Sequence, residues 1–293
     1  FSLTGAQHRA IQEAVHDMAG DSPMNRLVQG DVGSGKTAVA AALCWSVIQN
    51  GMQAALMAPT EILATQHYHS LNALLEPAHI ACALLTGSVK PGEKKKIYSA
   101  LADGRIQLVI GTHALLSDQV AFHNLGLVIT DEQHRFGVGQ RSALAQKGAS
   151  PHLLVMSATP IPRTLALMVY GDLDVSVLDE LPPGRQTIET YLIDSGKRQR
   201  AFGYVQKHLD QGRQGYIICP LIEEDDSGLQ SVTHYAELVK QAFPRATMGV
   251  LHGKMKPREK DRVMESFSRG ETQLLLSTTV VEVGVDVPNA VIM

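Results

Sequence analysis

A chain of 293 residues exceeds what one hydrophobic core usually serves, so two domains are expected. A net charge of −3 gives no global attraction to nucleic acid, which leaves any such binding to local patches and backbone amides. Three widely spaced cysteines, Cys44, Cys82 and Cys219, exclude a disulfide framework or zinc site, and the longest apolar run, Ala38 to Ile48, is too short for a membrane span, so the expectation is a cytoplasmic protein with buried, reduced thiols.

Phe1 is not an initiator Met and Met293 ends within a strand pattern, which reads as a piece of a longer chain. Strands and helices alternate from Asn25 onward. The apolar run Leu27 to Gln29 reads as a strand that feeds Gly30-Asp31-Val32-Gly33-Ser34-Gly35-Lys36-Thr37, a G-x-x-x-x-G-K-[ST] loop, and the loop leaves into a helix over Lys36 to Gln49. A phosphate chain needs many convergent N–H donors. The glycines let the backbone curl around it, and the helix N-terminus adds its positive dipole end. Lys36 then reaches the β/γ-phosphates and Thr37 holds Mg²⁺ through its hydroxyl, so the metal's second anchor should be an acid at the end of another buried strand. Leu125 to Thr130 is such a strand, and it delivers Asp131-Glu132 at its carboxyl end, where ligands collect in open α/β sheets. Asp131 is the expected Mg²⁺ partner and Glu132 the base for the attacking water. His134, two residues on, is placed to feel the γ-phosphate.

Further elements in this half are strand Gln53 to Ala58, helix Glu61 to Leu75, strand Ala81 to Leu85, helix Gly92 to Ala102, strand Gln107 to Ile110, helix Gly137 to Gln146 and strand Leu153 to Ser157. Such alternation predicts an α/β fold, a mostly parallel sheet covered by helices on both faces. Ala58-Pro59-Thr60-Glu61, Gly111-Thr112-His113 and Ser157-Ala158-Thr159-Pro160 end strands. They are either helix starts or a small-polar edge suited to a nucleic-acid backbone. Gln7 is either a surface residue or a reader of an adenine edge. Trp45 is expected in the core, and His67-Tyr68-His69 is not expected to bind metal, because adjacent helix positions point apart.

Around Leu178 to Arg185 two prolines, a glycine and charges interrupt the pattern. The expected domains are residues 1–180 and 190–293, joined by a connector over 181–189. The second alternation runs through strand Thr187 to Leu192, helix Lys197 to Asp210, strand Gly215 to Cys219, helix Gln230 to Phe243, strand Thr247 to Leu251, helix Pro257 to Ser268, strand Gln273 to Ser277 and strand Ala290 to Met293. Residues 85–112 align without a gap to 251–278 at a constant offset of 166, with 10 identities in 28 positions. About two would be expected by chance at typical residue frequencies. The second domain therefore reads as a copy of the first without a phosphate loop. Thr112 matches Thr278, and such strand-end hydroxyls suit nucleic-acid phosphates.

In order along the chain, Gly30 to Thr37, Ala58 to Glu61, Gly111-Thr112-His113, Asp131-Glu132-Gln133-His134, Ser157 to Pro160 and Ser277 to Asp286 resemble the motifs of superfamily-two helicases. The finer pattern, including Met57 to Ala64, Ile161 to Leu165, Asp179 to Arg185 and Val281 to Asn289, resembles the bacterial RecG branch through essentially the whole chain. The related Mfd branch usually carries a second Glu where this chain has Gln133, and lacks the Glu-Leu-Pro-Pro-Gly-Arg connector. The resemblance implies two RecA-like domains, the second incomplete, and an ATP- and Mg²⁺-dependent translocase on double-stranded DNA that remodels branched structures such as stalled forks and Holliday junctions in recombination and repair. It implies a monomer with no membrane association, and single-stranded-DNA-binding protein as a partner. By the same resemblance Gln7 contacts adenine; Gly33, Ser34, Gly35 and Lys36 hold phosphates; Thr37 and Asp131 hold Mg²⁺; Glu132, Lys36 and His134 serve catalysis; and Gly284 and Asp286 approach the nucleotide from the second domain. Thr60, Thr112, His113, His252 and Thr278 lie near DNA. The family's wedge domain would precede Phe1 and its arginine motif would follow Met293, so the fragment itself is expected to hydrolyse ATP weakly or not at all. An ATP-gated DNA-binding scaffold and a P-loop kinase or transporter subunit remain as other classes, opposed respectively by Glu132 and by the duplicated second domain.

Overall fold

The computed structural model describes residues 2–131, 143–158, 173–180, 188–219, 235–252, 255–278 and 287–293, which fall into two compact units, Phe1–Gln186 and Thr187–Met293. In the first unit, helix α1 (Gly5–Met18) precedes β1 (Asn25–Gly30). Thr4 starts the helix with a capping box: its hydroxyl accepts from the Gln7 amide, and Gln7 Oε1 accepts from the Thr4 amide. Arg26 of β1 pins the helix to the sheet through Glu13 at 3.0 Å and Asp17 at 2.6 Å, and donates to Ser176 of β7 (Asp174–Leu178).

Between these lie α2 (Lys36–Gln49), β2 (Gln53–Met57), α3 (Glu61–Leu75), β3 (Cys82–Leu85), α4 (Pro91–Ala102), β4 (Leu108–Gly111), β5 (Leu125–Asp131) and β6 (His152–Ser157). The seven strands run in the order β3-β4-β2-β5-β6-β1-β7, parallel at every pairing. Strands β2, β4 and β5 are buried at every residue, as a parallel sheet covered on both faces requires. The expected helix over Gly137 to Gln146 lies largely outside the described residues, though 143–145 are helical. Trp45 departs from expectation. It is 49% exposed, because α2 buries Val39, Ala40, Leu43, Cys44, Val47 and Ile48 and turns residue 45 outward. Of the three free thiols only Cys44 is fully buried. Burial pushes its thiol far above the ordinary range and raises Cys82 to about 11.

In the second unit the strand expected over Thr187 to Leu192 is not seen in its described part: residues 188–194 have no regular structure, and Ile188, Tyr191 and Leu192 are exposed. Alternation of apolar and polar residues there has no partner strand among the described residues, and without a partner alternation alone makes no sheet. A short 3₁₀ turn leads into α5 (Arg198–Asp210), followed by β8 (Gln214–Ile218), a helical run over 235–242, β9 (Met248–Leu251), α6 (Pro257–Ser268), β10 (Leu274–Ser277) and β11 (Ala290–Ile292). The four strands are parallel in the order β11-β8-β10-β9.

That order reproduces β5-β2-β4-β3 of the first unit, and the repeat is legible bond by bond. Helices α4 and α6 both have 12 residues and open with proline. Each is closed by a left-handed glycine, Gly104 at φ +73° and Gly270 at φ +76°. Cys82 pairs with Leu108 as Met248 pairs with Leu274. The correspondence also reaches residues whose sequence shows nothing. Gln53 at the start of β2 donates to the Leu101 and Ile106 carbonyls, and Gln214 at the start of β8 donates to those of Phe267 and Thr272. Asn124 returns to Gly51 as Asn289 returns to Gly212.

Candidate functional site

Because every strand in the first sheet is parallel, the carboxyl ends of all of them lie along one edge, and the phosphate loop, Thr60, Asp131 and Thr112 follow or end strands there. At the end of β1 the chain turns through Asp31, whose carboxylate accepts from the Val32 amide and whose carbonyl accepts from Ser34. Gly33 (φ +78°) and Gly35 (φ +88°) adopt left-handed backbone that disfavours any side chain. Gly35 is the N-cap of α2 and has no side chain to satisfy the first-turn amides, and no acid stands in that turn. No side chain of the helix therefore caps its N-terminus, and the positive end of its dipole faces the loop. Lys36 is folded into the turn, its Nζ donating to the Gly30 and Asp31 carbonyls at 2.7 and 3.1 Å. Ser34 Oγ is buried with no partner among the described residues. Amides, one cation and a spare hydroxyl converge here, the chemistry that holds a phosphate chain.

Gln7 is buried against this loop: its Nε2 donates to the Ser34 carbonyl at 2.8 Å, and its Oε1 is held by Thr4. Gln7 thus braces the phosphate loop from α1. A neutral amide has two N–H groups and two lone pairs, so each end keeps one more bond for a purine edge.

Asp131 closes β5 in register with Met156 of β6, which in turn is in register with Val28 of β1. The carboxylate is therefore two strands from the phosphate-loop strand, about 10 Å along the edge at ~4.8 Å per strand. A hydroxyl from Thr37 and a carboxylate from Asp131 are hard oxygen donors of the type Mg²⁺ takes, alongside phosphate and water. No group of three or more His, Cys, Asp or Glu able to hold a metal by itself occurs among the described residues. A site of this kind, completed by substrate oxygens, shows no such cluster. Asp131 also has a partner that the sequence argument missed. His67 of α3 places Nε2 2.6 Å from Asp131 Oδ2, with the two side chains 11% and 9% exposed. The signal was present, since His67 continues the buried stripe of Ala64, Leu71 and Leu75 and so faces the sheet.

Further along the same edge, Thr60 caps α3 by accepting from Leu63, so that site is a helix start whatever else it does. Thr112 follows β4, buried, its Oγ1 without a partner among the described residues; His113 beside it is exposed. In the second unit Thr278 holds the matching place after β10, and neither its hydroxyl nor the Nδ1 of His252, after β9, has a partner among the described residues. Glu132, His134, Gly284 and Asp286 lie outside the described residues.

Residues 4–168 match the DEAD/DEAH box helicase family and residues 198–293 match the helicase conserved C-terminal domain. The chain is 53% identical to the ATP-dependent DNA helicase RecG of Bacillus subtilis, all of this chain aligning to 43% of that protein, and 52% identical to that of Aquifex aeolicus, covering 37% of it. It thus spans about two fifths of the length of these relatives. A solved structure of RecG bound to a three-way DNA junction superposes with a TM-score of 0.86 at 46% identity, covering 99% of this chain and 38% of that one. Yeast Dbp5 bound to RNA and ADP BeF₃, at 17% identity, covering 99% of this chain and 77% of that one with a TM-score of 0.64, shares the fold. The phosphate loop, the strand-borne acid and the two duplicated sheets agree with these matches, and the chain belongs to the DEAD/DEAH box helicase family.

Proposed function

We propose that this chain is the ATP-hydrolysing motor of a double-stranded-DNA translocase that remodels branched DNA, such as stalled forks and Holliday junctions, in recombination and repair. The observation that carries the proposal is the convergence, on one sheet edge, of a phosphate loop with its own lysine and a carboxylate two strands away. Relatives named RecG, one solved on a three-way junction, support the choice of substrate. In this reading residues 1–180 form the ATP-binding domain, 181–189 the connector and 190–293 the second domain, in a cytoplasmic monomer that meets single-stranded-DNA-binding protein at its substrate.

Each residue has a defined task. The loop amides and Gly33, Ser34 and Gly35 cradle the phosphates, and Lys36 leaves its carbonyl partners for the β/γ-phosphate oxygens. Thr37 and Asp131 would hold Mg²⁺, which would supply positive charge against the negative charge developing on the phosphates. Glu132 takes the proton of the attacking water, and His134 senses the γ-phosphate. Gln7 reads the adenine while bracing Ser34, and Gly284 with Asp286 approaches the nucleotide from the second domain. Thr60, Thr112 and His113 in one unit, and His252 and Thr278 in the other, contact the DNA backbone.

Steady-state ATP hydrolysis by a full-length protein carrying this chain, measured without DNA, with linear duplex and with a three-way junction of equal length, tests this. Turnover should rise with DNA and most with the junction. Turnover indifferent to DNA would refute it.

A further inference from the structure

The pairing of His67 with Asp131 is not needed to fold α3. The helix already buries Leu63, Ala64, Leu71 and Leu75, and its N-terminus is already capped by Thr60. Yet the imidazole is inserted along the same stripe, nearly buried, and its partner is the carboxylate at the edge where ligands collect. Nε2 lies 2.6 Å from Oδ2, and a ring N–H at that nitrogen would donate to the carboxylate.

We propose that His67 is a positioning residue for the metal site: it ties up Oδ2 of Asp131 and so fixes the plane of the carboxylate, leaving Oδ1 as the oxygen offered to Mg²⁺ or its water. The proposal rests on the reading of Asp131 as a metal anchor. Groups that orient a ligating carboxylate contribute to metal affinity without touching the metal, and their loss typically costs about 10- to 100-fold. The arrangement has a mechanical consequence. His67 lies seven residues after Thr60, about 10 Å along the helix at 1.5 Å per residue. One rigid element therefore joins the proposed DNA-facing strand end to the carboxylate that positions the metal.

The test is a Mg²⁺ titration of the affinity of this chain for a fluorescent ADP derivative, in wild type and in H67L, H67Q and D131N, with affinity in EDTA as the metal-free reference. Leucine fills the space of the imidazole without a donor, whereas glutamine places an N–H close to where Nε2 stands. The half-saturating Mg²⁺ concentration should rise about 10- to 100-fold in H67L. H67Q should remain close to wild type, and metal-free affinity should be unchanged in both. If D131N raises the Mg²⁺ requirement and H67L does not, the positioning role is overturned while the reading of Asp131 stands. An equal rise in H67L and H67Q would assign the effect to packing and overturn it too. If D131N changes nothing, Asp131 is not the metal anchor and the inference falls with it.

Discussion

Thr112 and Thr278 stand 166 residues apart in equivalent positions: each donates its amide to the last carbonyl of the neighbouring strand, Leu85 at 3.3 Å and Leu251 at 3.2 Å, and each buries a hydroxyl that has no partner among the described residues. A buried hydroxyl without a partner costs stability, and in the proposed function a phosphate oxygen of DNA supplies that partner at both strand ends. Replacing either threonine with valine keeps the shape and removes the oxygen. DNA affinity should fall about tenfold or more, the loss of one hydrogen bond to a charged group, by a similar amount in each variant and regardless of sequence. Thermal stability without DNA should stay level or rise, because the orphaned group is gone. Unchanged affinity in both variants would assign the pair to packing.

Gln53 and Gln214 make a second matched pair, each clamping the turn that follows a helix to the start of a strand in its own sheet. Leucine at either position leaves buried backbone carbonyls without these donors, at about 1–3 kcal/mol. Denaturant unfolding of Q53L and Q214L should show losses of similar size. A loss confined to one of them would mean that the two glutamines are not equivalent.

His152, at the start of β6, accepts from the Met24 amide through Nδ1, and burial lowers its affinity for protons. The folded state therefore prefers the neutral ring. Its contribution to stability is fully present above the unfolded value of about 6.5 and is lost as pH falls below it. Asparagine keeps an acceptor near the Nδ1 position and does not titrate. The melting temperature of H152N should consequently fall less than that of wild type between pH 7.5 and pH 5. Parallel curves would show that the ring is not the group responsible.

Much of this was legible before the structure because local chemistry and tertiary environment agree. Helices 36–49, 61–75 and 257–268 match their expected bounds, where Gly35, Thr60 and Pro257 mark the starts. Helix α1 was missed because its buried face is Ala6, Ala10 and Ala14, too small to mark a period. Strand β7 was missed because it lies at the sheet edge with Val177 exposed, so its pattern is not that of a buried strand. Gln7 was read for what it offers a ligand, whereas the structure shows what it already holds, the cap of α1 and the carbonyl of Ser34. His67 was weighed against its neighbour His69, although the residue that gives it meaning is 64 positions away. Contacts of that kind depend on strand order, which one sequence does not display.

The account rests on Lys36 and Glu132 having separable tasks, one holding phosphate and the other activating water. The most direct measurement is nucleotide affinity beside DNA-dependent turnover for K36A and E132Q made in a full-length protein carrying this chain. K36A should weaken both. E132Q should bind ATP about as well as wild type while turnover drops by about 10²- to 10⁴-fold, the usual contribution of a general base. Turnover largely retained in E132Q would contradict the assignment of Glu132 and, with it, the proposed mechanism of hydrolysis.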